Sequence, residues 1–62
     1  MNIKDFLEDF NGINHIKVFD RFNFKTRRYN NAQEAINDCG YHLVRNWTIE
    51  SNILKITIQS QF

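Results

Sequence analysis

The sequence predicts an α+β fold: one antiparallel sheet with two short helices, in the order α-β-β-α-β-β, over a single domain spanning 1–62. Three observations predict it. Apolar residues recur at helical spacing in two short stretches, around residues 2–12 and 31–40. After each stretch the period drops to two, the repeat of a half-buried strand. The changes of period fall at Gly12 and Gly40, the two glycines of a chain without proline.

The first element is a helix over "NIKDFLEDFNG". Ile3, Phe6, Leu7 and Phe10 stand at i, i+3, i+4 and i+7, which puts them on one stripe. Asn2 is placed to cap it with Asp5 three residues on, and the early acids suit the positive end of the helix dipole. Gly12 can take the left-handed conformation that closes the helix. In "INHIKVFDRFNFKTRRYN", Ile16 and Val18 alternate with His15 and Lys17, and Phe22, Phe24 and Thr26 alternate with Asn23 and Lys25. This pattern predicts two strands meeting around Asp20-Arg21, with Phe22 and Phe24 pointing into the core. A one-residue bulge would account for the opposite parity of Phe19. One long bent strand is the alternative.

The second helix is "NNAQEAINDCG". Asn31 and Glu34 form a capping pair, and Ala32, Ala35, Ile36 and Cys39 form an inner stripe of small residues suited to packing close to a sheet. The remaining "YHLVRNWTIESNILKITIQ" predicts a hairpin. Leu43, Trp47 and Ile49 share one parity and are expected in the core, as are Leu54, Ile56 and Ile58 in the second run. Glu50-Ser51-Asn52 supply the turn, asparagine being tolerant of positive φ.

A chain of 62 residues has a thin core, and small domains of this kind often add a metal, disulfides or a partner subunit. The single cysteine excludes an internal disulfide and suits a reducing compartment. Nine aromatic residues compensate in part, since each ring can bury roughly 150–250 Å². Acids stand where a signal peptide would carry a basic region, and no apolar run approaches the length of a spanning helix, so a cytoplasmic protein is expected. Net charge is +1, but residues 13–30 carry five cations against Asp20 alone. The middle third is therefore the basic part of the chain.

Two stretches carry chemistry. In "DCGYH", Cys39 and His42 have the C-x-x-H spacing of half a zinc site, in which a turn lets thiolate and imidazole converge on one ion. His15 is the third candidate ligand and Asp38 or another acid a fourth, so one structural zinc ion would staple the thin core. The other reading of the same five residues is a helix stop followed by a strand start, with Cys39 as a small buried apolar group. In "FNFKTRRYNN", aromatic rings interleave with Lys25, Arg27 and Arg28, the mixture that stacks bases while neutralising phosphates. Lys17, Arg21, Lys25, Arg27, Arg28 and Tyr29 are accordingly the candidate partner-binding residues, with Tyr29 and Arg27 on the outward face and Arg28 on the inward parity, past the strand's end. The competing reading is a solvated basic strand over a phenylalanine core. The acids Asp5, Glu8 and Asp9 belong to the first turns of a helix. No phosphate loop, nucleotide fingerprint or nucleophilic arrangement is present, so a non-enzymatic protein is expected.

In its brevity, nine asparagines, eight isoleucines and lack of proline, the chain resembles the small accessory proteins of phages and mobile elements in low-GC bacteria. Within that group it is similar in type to anti-CRISPR proteins. The resemblance covers size and composition only and carries no residue across. It implies an inhibitor that docks on a CRISPR effector nuclease, or a similar host nucleic-acid machine, in the cytoplasm of an infected bacterium. Many such inhibitors are acidic DNA mimics, and a chain at +1 with a basic middle departs from that pattern. The Lys17–Arg28 face would then grip an acidic or mixed protein surface, or the guide RNA. Two further functions fit the residues: a small nucleic-acid-binding protein using the same face, and an assembly subunit whose edge strand pairs with a second copy.

Overall fold

The computed structural model describes residues 1–9 and 15–59. Its elements are α1 (Ile3–Glu8), β1 (Ile16–Asp20), β2 (Lys25–Tyr29), α2 (Ala32–Cys39), β3 (Val44–Glu50) and β4 (Ile53–Ile58), the expected α-β-β-α-β-β order. Both helices begin where their caps are. The Asn2 carboxamide accepts the Asp5 N–H at 2.8 Å, and the Asn31 carboxamide accepts the Glu34 N–H at 2.9 Å. Glu34 reaches back to the N–H of Asn30, one residue further out than a capping box requires. Phe10 and Gly12, read as the end of the first helix, lie outside the described residues.

The sheet runs β2-β1-β4-β3 and is mixed, not antiparallel throughout. Each hairpin is antiparallel, but β1 and β4 pair in parallel, with Ile16 beside Leu54 and Val18 beside Ile56. These two strands take the centre because they alternate buried apolar residues most completely. Ile16, Val18, Leu54, Ile56 and Ile58 pack on one face against Ile3, Phe6 and Leu7 of α1 and Ala35 and Cys39 of α2. Both helices therefore lie on the same side, and among the described residues no element covers the other face of the sheet.

Three expectations about the core are corrected. Phe22 and Phe24 do not point inward: they lie in the 21–24 connection and are 55% and 79% exposed. The Asp20 carboxylate accepts the Phe22 N–H and the Asn23 carboxamide accepts the Lys25 N–H, so two side chains imitate turns and draw this stretch out of the ladder. Phe19 needs no bulge; it is the ordinary alternate residue of β1 and faces the open side. The register irregularity falls instead in β3, where Val44 pairs with Ile58 and Asn46 with Thr57, leaving Arg45 as the extra residue. Hence Val44, not Leu43, joins the helix side, and Leu43 is exposed. Trp47 and Ile49 do face the helix side, opposite Ile56 and Leu54, and the Trp47 ring lies 5.5 Å from that of Phe6. Yet both remain nearly half exposed, for β3 is the edge strand of the sheet.

Candidate functional site

The backbone of "DCGYH" is occupied by the fold. The carbonyl of Cys39 accepts the His42 N–H, the carbonyl of Gly40 accepts the Lys4 N–H, and the carbonyl of His42 accepts the Ile3 N–H. The segment that ends α2 thus satisfies the first free N–H groups of α1. Cys39 and His42 do line one small cavity of about 120 Å³ beside Asp20. The thiol, however, donates to the Ala35 carbonyl at 3.3 Å, and burial pushes its pKa up, which opposes the thiolate a metal needs. The His42 ring lies 4.4 Å from that of Tyr41. His15 precedes the far end of β1, three residues from Val18, the nearest cavity-lining residue of that strand, or roughly 10 Å at about 3.3 Å per residue. Among the described residues no three His, Cys, Asp or Glu side chains converge. Of the three ligands read from the sequence, Cys39 and His42 share this cavity and His15 stands outside it.

The six basic and aromatic candidates are not brought to one place. Arg27 and Tyr29, expected on the outward face, face the helix side, because they pair with the core residues Val18 and Ile16. There the Arg27 guanidinium sits 3.0 Å from the Asp38 carboxylate of α2 and the Tyr29 hydroxyl donates to the same oxygen. That carboxyl is held below the usual range, first by the Tyr29 hydrogen bond and then by Arg27. This trio clasps β2 to α2. Lys25 lies opposite Asp20 at the end of the β1–β2 ladder, and Arg21 stands in the connection with its N–H on the Ile58 carbonyl.

Lys17 and Arg28 go to the open face. Arg28, expected on the inward parity past the strand's end, lies within β2 opposite Lys17 and points away from the core, and here the register matters. Across the strand order, Arg28, Lys17, Lys55 and Thr48 form one row, and Thr26, Phe19, Thr57 and Asn46 form the next. These eight residues line a shallow concavity of about 570 Å³. Lys17 is directly opposite two other cations, Arg28 on one neighbour and Lys55 on the other. Like charges placed so are destabilising. Glu50 relieves only one end, taking the Lys55 ammonium at 3.2 Å. Among the described residues neither Lys17 nor Arg28 has an ion-pair partner.

Lys55, Phe19 and the polar residues of β3 and β4 were not among the sequence candidates. Phe19 carried a signal, its opposite parity, but Lys55 is distant in the chain and nothing local places it beside Lys17. No protein-family model matches the chain, and no curated protein or solved structure gives a significant match. Among the described residues no helix is long and apolar enough to cross a membrane.

Proposed function

We propose that this chain is a non-enzymatic binding protein that holds nucleic acid on the open face of its sheet. One observation carries the reading: Arg28, Lys17 and Lys55 stand in register across three adjacent strands, on the face opposite both helices of the described residues. A sheet gains nothing from that row by itself. A chain of phosphates supplies the missing counter-charge, and neutralising it releases condensed counterions.

Fluorescence anisotropy with a labelled oligonucleotide over a salt series tests this. Affinity should fall with salt by a log–log slope of about −0.7 for each single-strand phosphate contacted. Lys17→Ala and Arg28→Ala should each weaken binding and take about 0.7 from the single-strand slope. Failure to retain either DNA or RNA at about 50 mM salt, where electrostatic binding is strong, would remove the reading.

A second reading has its own observation. Trp47 and Ile49 are half exposed beside the β3 edge, and a desolvated tryptophan is a frequent anchor in protein interfaces. This supports the inhibitor type: a protein working in the cytoplasm of an infected bacterium that docks on a CRISPR effector nuclease and occludes it. Cleavage by a purified effector should stop with the native chain and resume with Trp47→Ala. Uninhibited cleavage across a panel of effectors counts against it.

A further inference from the structure

We propose that the open face selects single-stranded over duplex nucleic acid, with a base stacked on Phe19 and Phe24. The inference rests on the nucleic-acid reading above and names the form of its ligand. Phe19 occupies the row next to the cations, two residues from Lys17 on the same strand, or roughly 6.6 Å at about 3.3 Å per residue. That is the scale on which a nucleotide's base stands off from its phosphate. A backbone crossing the strands over Arg28, Lys17 and Lys55 would therefore bring bases down over Phe19, with the side chains of Thr26 and Thr57 on either side.

Phe24 extends this platform. Its ring centroid lies 6.4 Å from that of Phe19, tilted by 50°, while 79% of the residue stays exposed. Its backbone is left-handed, φ 57°, a conformation that is a true outlier for a bulky residue. The described core gains nothing in return, since neither Phe19 nor Phe24 belongs to it. An exposed ring held by a disfavoured backbone points to a use on the surface.

A duplex could not exploit these rings. Its bases are stacked inward, and among the described residues no element stands ready to enter a groove from the open side, both helices lying behind the sheet. A duplex would meet only Lys17, Arg28 and Lys55. A single strand, whose unpaired bases can stack on exposed aromatics, meets both rows.

The test is anisotropy with a labelled ten-nucleotide thymidine strand, the matching uridine strand, and a duplex of the same length. Both single strands should bind about tenfold tighter than the duplex. Phe19→Leu should remove most of that preference while leaving duplex affinity and the salt slope unchanged. Phe24→Ala, at an exposed turn position, should weaken single-strand binding in the same direction without touching the sheet. Equal affinity for strand and duplex, or single-strand binding indifferent to both substitutions, overturns this inference and leaves the cation face standing. Loss of all binding in the native chain overturns the nucleic-acid reading itself, and this one with it.

Discussion

Asp38 sits in the last turn of α2, where a carboxylate faces the negative end of the helix dipole. It is tolerable there because Arg27 and Tyr29 both point at it from β2. The signs of the resulting pKa changes set a pH window. A carboxyl held below its ordinary 3.8 lends stability that is present above that value and is lost as pH falls through the folded one. The Tyr29 phenol is pushed above its ordinary 10.0, chiefly by burial and then by Asp38, so its contribution is present below pH 10 and declines as pH rises beyond it. Tyr29→Phe should therefore cost about 1 kcal/mol at neutral pH, the worth of one hydrogen bond, and should flatten the alkaline decline. Urea unfolding at acid, neutral and alkaline pH reads this out. An unaltered alkaline limb in the variant would show that the clasp lends nothing. The sequence put Arg27 and Tyr29 on the outward face; that they turn to the helix side and meet α2 depends on contacts eleven and nine residues away.

At the scale of elements, the punctuation was readable and the directions of some side chains were not. Both asparagine caps, the Gly40 stop and the positive-φ turn at Ser51 and Asn52 act as their residue types require. Gly40, however, acts through space and not through φ. It is right-handed, with φ −60°, and a Cβ there would stand 2.5 Å from the Ile36 carbonyl oxygen. That oxygen accepts the Gly40 N–H and cannot retreat without opening the last turn of α2. Moreover, the Gly40 carbonyl receives Lys4 of α1. Gly40→Ala should cost about 1–3 kcal/mol, as overpacking does, and lower Tm at roughly 4–8 °C per kcal/mol. A thermal melt identical to the native chain's would show that the junction gives way freely. The parity of Leu43 misled because a bulge adds one residue to β3, and every side chain before it changes face.

Across the whole molecule, the described fold is a single helical layer on one face of a four-stranded sheet, with a core drawn chiefly from α1, β1 and β4. The uncovered face joins residues from all four strands, so its charge is a property of the sheet and not of any segment. Removing the middle cation should reveal the conflict there. Lys17→Gln should raise stability by a few tenths of a kcal/mol at low salt by parting Arg28 from Lys55, while weakening nucleic-acid binding. The stabilisation should vanish near 1 M salt, where the screening length is about 3 Å. Denaturant melts at the two salt concentrations decide it, and a variant less stable at low salt would mean that the row is not in conflict.

By itself the sequence determined the α-β-β-α-β-β order, the helix caps, the β3–β4 turn and the central apolar run of β4, because each depends on residues within a few positions of one another. Tertiary structure alone decided that β1 and β4 pair in parallel and that Lys55 completes a row begun by Arg28 and Lys17. Those outcomes join residues up to 38 positions apart, as Lys17 is from Lys55. Periodicity reports which way a side chain points relative to its own strand. What lies on that side is settled only when burial of the apolar face brings distant strands together.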